Sequence, residues 1–194
     1  MIRSRQDYLA YLEADRIALG RGRPGLRVRL LQLLAPDYIL EFERLLRTLE
    51  YHRNVGCRTA LGRLRYLCLR LKYRRLSLKL GFTIPENVFG PGLAIVHYGT
   101  IVVNENARVG ANCRIHPDTN IGASAGSDRA PRIGDNVYIA PGVKVFGDVT
   151  VASNTAIGAN AVVADSFLEE GTMLAGVPAR RIKSIDIKLI LKHL

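Results

Sequence analysis

The sequence predicts an α+β protein: an N-terminal α-helical domain, then a parallel β-helix of hexapeptide repeats, then a short C-terminal helix. Three observations carry this. Apolar residues keep helical spacing up to about residue 80, the period changes to six after Gly81, and the charge excess is confined to the first part. Residues 1–80 hold 18 Lys or Arg against 7 Asp or Glu, and residues 81–194 hold 10 against 10, so the net charge of +11 belongs to the helical part. The expected units are 1–80, 81–183 and 184–194.

From residue 2 to about 19, Ile2, Tyr8, Leu9, Tyr11, Leu12 and Ile17 recur at helical spacing, and Ser4 followed by Asp7 marks a capped start. Gly20, Gly22, Pro24 and Gly25 break the chain, and Arg27 to Leu34 resumes a short helical run. Pro36, a favoured first-turn residue, opens the stretch PDYILEFERLLRTLEYHR. A further helix from about Thr59 to Leu80 carries Leu61, Leu64, Leu67, Cys68, Leu71 and Leu78 on broadly one side. Residues 51–80 contain nine basic side chains and no acidic one, a strong positive field that wants a polyanion or an anionic membrane surface nearby.

Past Gly81 the units are IGDNVY (133–138), IAPGVK (139–144), VFGDVT (145–150), VASNTA (151–156) and IGANAV (157–162). VNENAR (103–108), VGANCR (109–114) and IHPDTN (115–120) obey the same rule. An aliphatic residue every six positions fits a triangular coil of three short strands, in which each such residue points inward and stacks on its equivalent eighteen residues away. Gly and Asn at the corners tolerate the positive φ of the turns. Each coil buries its aliphatic set only against its neighbours, so about three coils are needed before any is stable.

The register breaks twice. Counting in sixes from Ile84 does not reach Val103, so it slips by one residue within GPGLAIVH, ending at His97. Counted back from Val103, His97 takes the slot of an inward aliphatic residue, which reads either as a buried core histidine or as a general base. Between Ile121 and Ile133, GASAGSDRAPR supplies no aliphatic residue at 127 and reads as an excursion, either passive or, about a coil above His97, covering a substrate. His116 fills a corner position, as a solvated histidine or a second polar lining residue. His52 and His193 show no motif.

Cys57, Cys68 and Cys113 are odd in number and form no CxxC pair, so neither a disulfide framework nor a metal site is expected, and a reducing cytoplasm is the simplest setting. The opening MIRSRQDYLAYLEADR has charges where a signal peptide needs an apolar core, and no run approaches a spanning helix. The basic segment 53–79 makes peripheral contact at the inner face of an anionic membrane, or with a polyanion, an expected alternative to a solvated helix surface within an oligomer. Nucleic acid is not expected, since no recognition motif or interleaved aromatic accompanies the charge.

The stretch from IPENVFGPGLAIVHYGTIVVNENARVG to IGANAVVADSFLEEGTMLAGVPARRI resembles the hexapeptide-repeat acyltransferases, and among them the serine acetyltransferases and their sugar-acetylating relatives. The resemblance covers about half of the chain. It implies a left-handed coil, a helical domain before it, and AGVPARRI (175–182) as the end of the prism. It further implies that His97 is the catalytic base, which deprotonates an acceptor hydroxyl as it attacks the thioester of acetyl-CoA. The coenzyme would run between neighbouring prisms against Gly122, Ala140 and Ala159, with Arg180 or Arg181 near its phosphates, and His116, Asp128 and Arg129 would face the acceptor. The family site lies between subunits, which implies a homotrimer, and the resemblance allows helical domains to pair two trimers into a dimer of trimers.

Departures from the serine-specific pattern are Phe82 and Val96, where that family has acids, and Ala130, where it has a histidine beside Asp128, Arg129 and Pro131. Leu194, on a lysine-containing tail, also differs from the family's Ile-ended tail. A site for a zwitterion needs partners for both charges. The expected function is therefore acetyl-CoA-dependent O-acetylation of a sugar hydroxyl, of a surface polysaccharide or its precursor. Serine O-acetylation is the alternative, and a non-catalytic β-helix scaffold is a third reading.

Overall fold

In a computed structural model, which describes residues 1–22, 25 and 34–194, three helices precede a three-sided parallel β-helix. Helix α1 (Arg5–Ala18) begins as the sequence predicts, with Ser4 Oγ accepting from the Asp7 N–H at 3.0 Å and Asp7 accepting in return from the Arg3 N–H. The short run expected from Arg27 lies outside the described residues. Helix α2 (Tyr38–Tyr51) is capped by Asp37, which accepts from the Leu40 N–H, so Pro36 precedes the cap rather than occupying the first turn. A π-helical turn (His52–Gly56) leads to helix α3 (Ala60–Leu80), capped by Thr59 and ended by Gly81 at φ +80°, the left-handed conformation that favours glycine.

Helix α3 packs through Tyr73, Leu76 and Leu80, which are buried against α2 and the first coil. The side carrying Leu61, Leu64, Leu67, Leu71 and Leu78 faces solvent, each of these being 53–76% exposed. Both sides of this helix are apolar, so its sequence pattern does not reveal which one packs.

Strands β1 (Phe82–Thr83) to β13 (Thr172–Ala175) pair in parallel on three faces. The first face stacks β1, β3 (Ile101–Val103), β6 (Thr119–Gly122), β9 (Lys144–Phe146) and β12 (Val162–Val163). The second holds β4 (Arg108–Val109), β7 (Arg132–Ile133) and β10 (Thr150–Val151), and the third holds β2 (Ala94–Ile95), β5 (Arg114–Ile115), β8 (Tyr138–Ile139), β11 (Ala156–Ile157) and β13. The leading aliphatics point inward as predicted. Ile95, Ile115, Ile139 and Ile157 are in register and 0% exposed, as are Ile121, Val145 and Val163. At about 2 kcal/mol per buried aliphatic side chain, this column is the main attraction between coils.

The corner from second to third face repeats an asparagine in the left-handed conformation at Asn112, Asn136 and Asn154. Asn112 Nδ2 donates to Asn136 Oδ1 and Asn136 Nδ2 to Asn154 Oδ1, both at 2.9 Å, so one residue type satisfies both turn geometry and corner polarity. The chain ends differently from the expectation. Strand β14 (Arg180–Ser184) folds back antiparallel onto β13, and only a 3₁₀ turn, Ile187–Leu189, follows. Ile187 and Leu191 cover Ala156 and Tyr138 on the outer third face.

The open edge of the first coil is closed by charged side chains of α1 and α2. Asp15 Oδ1 accepts from the Gly92 and Leu93 N–H groups, Glu43 Oε1 from Ile95, and Glu50 Oε1 from Asn87, all at 2.8–2.9 Å. Arg47, 0% exposed, donates to the carbonyls of Phe89 and Gly90 and pairs with Asp15 and Glu50 at 2.7 and 3.0 Å. An unpaired sheet edge is costly when buried, and these four residues supply its missing partners.

Candidate active site

The spacing of inward residues locates the irregular corner. From Ile84 to Phe89 is five residues, from Phe89 to Ile95 six, and from Ile95 to Val103 eight; each of these four side chains is at most 4% exposed. The one-residue slip is thus one residue lost and two gained. Ile95 takes the inward slot, and His97 stands outside it, exposed, on the corner that joins β2 to β3. This corrects the inward placement expected from counting back from Val103, because the two added residues bow the corner outward.

His116 follows β5 at the same corner, one coil further on. It is buried, 8% exposed, rather than solvated. Its Nδ1 lies 2.8 Å from the Ile139 carbonyl oxygen, which only accepts, so Nδ1 carries the proton and Nε2 presents a lone pair. Desolvation lowers the His116 pKa, the hydrogen bond to Ile139 opposes this in part, and the nearby Arg114 and His97 lower it further. The His97 and His116 ring centroids are 6.2 Å apart, and the Tyr138 ring meets His116 edge-on at 5.0 Å. Tyr138 was not singled out by sequence. It is the outward residue before Ile139, a position that repeats call free, and only the stacking of coils brings it to the histidines.

Among the described residues no side chain hydrogen-bonds the His97 ring, and no carboxylate stands at the two places where acids were looked for. Phe82 is 2% exposed and meets Phe42 of α2 at 5.0 Å, so that position anchors the helices to the coil. Val96 borders a cleft of about 210 Å³ with Leu19, Arg21, Asp37, Ile39, Ile95 and Arg114. Ala130 is buried at the start of the second face.

Of the other predicted site residues, only Ala140 and Ala159 share the His97 corner within one chain. Ala140, buried, directly follows β8 and stacks on His116 at that corner, whereas Ala159, exposed, lies one residue beyond Gly158, the residue that follows β11 in the same register. Gly122 ends β6 and lies at the next corner, from first to second face. The excursion leaves from that same corner, not above His97: Asp128 and Arg129 are exposed there, with Asn106 donating to the Asp128 carbonyl and Arg129 paired to Asp148 at 2.9 Å. With Ala130 and Arg132 they border a cleft of about 430 Å³. Arg180 and Arg181, at the start of β14, make exposed ion pairs with Asp165 and Glu169.

Residues 130–165 match the family model described as bacterial transferase hexapeptide (six repeats). A serine acetyltransferase of Staphylococcus xylosus is 36% identical over 123 residues, which is 61% of this chain and 56% of that protein. One from Staphylococcus epidermidis is 34% identical over 122 residues, 61% and 57% of the two chains. This chain therefore spans about half the length of the curated relatives it matches. Among solved structures, a serine acetyltransferase from Brucella abortus strain S19 superposes with a TM-score of 0.71 at 25% identity, over 94% of this chain and 71% of that one. The serine acetyltransferase of Neisseria gonorrhoeae gives 0.71 at 26%, over 93% and 68%. By these likenesses the chain has the left-handed β-helix fold of the solved serine acetyltransferases, matches the hexapeptide repeat model at residues 130–165, and is similar to serine acetyltransferases in sequence over 61% of its length.

Proposed function

We propose that the protein is an acetyl-CoA-dependent O-acetyltransferase in which His97 is the general base. The observation that carries this is the exposed histidine on the one corner lengthened by two residues, beside a second, buried histidine. An exposed imidazole can take the proton of an acceptor hydroxyl that approaches it from solvent. As the hydroxyl oxygen attacks the thioester carbon, its proton passes to His97, the C–S bond breaks, and the imidazolium returns the proton to the departing thiolate. His116 donates from Nδ1 to the Ile139 carbonyl, and burial favours its neutral form, in which Nε2 accepts.

For the acceptor, the relatives favour serine over the sugar hydroxyl expected from sequence, since the curated matches are serine acetyltransferases and one similar solved structure is a complex with serine. A second reading, a sugar hydroxyl, draws on Phe82, Val96 and Ala130, which leave the corner without the charged partners a zwitterion needs. The site is completed by a neighbouring copy. A three-fold assembly would set the corner of Gly122, Asp128 and Arg129 on one prism against the His97 corner of the next.

Release of CoA thiol should be followed with serine and with a panel of oligosaccharides and nucleotide sugars. Turnover by one class that falls about 100-fold or more in His97→Ala, with acetyl-CoA binding retained, is the expected result. Unchanged turnover in His97→Ala would remove the base assignment, and absence of acetyl-CoA binding by calorimetry would favour a scaffold.

A further inference from the structure

We infer that helix α3 is a docking surface for anionic phospholipid bilayers. At about 100° per residue, Leu61, Leu64, Leu67, Leu71 and Leu78 form one outward stripe, opposite the packed Tyr73, Leu76 and Leu80. Arg63, Arg70 and Arg74 border one edge of the stripe, and Arg65, Lys72 and Lys79 border the other. Arg75 stands within it. The helix contains no acidic residue. Lys72 pairs with Glu41 at 2.9 Å and Lys79 lies over the Tyr38 ring at 3.4 Å, whereas Arg65, Arg70, Arg74 and Arg75 make no ion pair among the described residues. An apolar stripe between two cationic borders is the arrangement by which a helix lies in a lipid interface, leucines among the acyl chains and cations at the phosphates.

Charge and apolarity together select this occupant. A soluble polyanion would neutralise the arginines and leave five large leucine side chains in water. A second copy of the helix would cover the leucines but bring two sets of unpaired arginines together. An anionic bilayer satisfies both, since its phosphates attract the basic residues and its acyl chains take the leucines. No helix among the described residues is long and apolar enough to cross a membrane, so the contact is peripheral. None of these residues belongs to the His97 corner, so this inference stands or falls separately from the proposed reaction.

The test is co-sedimentation of the full chain, at physiological salt, with vesicles of phosphatidylcholine alone and of phosphatidylcholine mixed with phosphatidylglycerol. Binding is expected only to the anionic vesicles. It should fall about tenfold or more in the triple variant Leu64→Ser, Leu67→Ser, Leu71→Ser, and likewise in Arg70→Gln, Arg74→Gln, Arg75→Gln, while the leucine variant still binds heparin as the parent does. The altered side chains are exposed, so circular dichroism should be unchanged; if one variant misfolds, the other and the lipid dependence of the parent decide. Three results overturn the proposal: no binding of the parent to anionic vesicles, full binding by the leucine variant, or a smaller particle mass of that variant by light scattering, which would make the stripe a contact between copies.

Discussion

His97 and His116 share a corner but not an environment, and the difference can be read in pH. Burial holds the folded His116 pKa below its ordinary value of 6.5. The unfolded chain, titrating near ~6.5, then takes up a proton that the folded protein refuses. The stability tied to this group is complete above the unfolded pKa and is lost as pH falls through the folded one. His52 and His193 are shifted in the same direction by burial, so the informative quantity is a difference between variants. Melting temperature measured from about pH 7.5 to about pH 5.5 should fall further in the parent than in His116→Gln; equal slopes would mean that His116 titrates freely.

Among elements, the junction between α2 and the first coil concentrates the polar energy. Arg47 is fully enclosed between Asp15, Glu50 and two strand carbonyls. Arg47→Ala would leave two buried carboxylates without their cation and two carbonyls without a donor, and is expected to cost about 3–5 kcal/mol in denaturant unfolding. A loss below about 1 kcal/mol would show that water enters and replaces the guanidinium. Glu43 belongs to the same junction, and desolvation, together with the nearby Asp15, raises its pKa well above the usual carboxylate range. The helices were legible as helices, and the cap at Ser4 was legible to the residue. Their partners were not, since Asp15, Glu43, Arg47 and Glu50 look like ordinary solvated charges until the open edge of a β-helix lies against them.

For the whole molecule, the two halves of the candidate site stand at different corners of one prism. Assembly of copies is what would bring the His97 corner to the corner of Gly122, Asp128 and Arg129. Chains carrying His97→Ala and chains lacking residues 124–128 should each be inactive alone. Co-expressed, they should recover roughly a quarter of parental activity, because every mixed three-fold ring has one junction that carries both lesions and one that carries neither. No recovery in mixed particles of proven composition would place the whole site within one chain.

Local chemistry decided what could be read without coordinates. A six-residue aliphatic period has only one economical packing, so the β-helix, its inward column and the asparagine corners follow from the residues themselves. So did the existence of an anomaly near His97, though not its form: five, six and eight residues between inward positions add up to the same displacement as a single slip, and only the stacked coils show that Ile95 turns in and His97 turns out. The same limit applies to α3, where two apolar sides compete and tertiary packing selected Tyr73, Leu76 and Leu80, leaving the leucine stripe outside. Repeats specify distance along the chain. Which corner bulges, which helix side is buried and which histidine meets Tyr138 depend on contacts between residues far apart in that chain, and those form only when the coils stack.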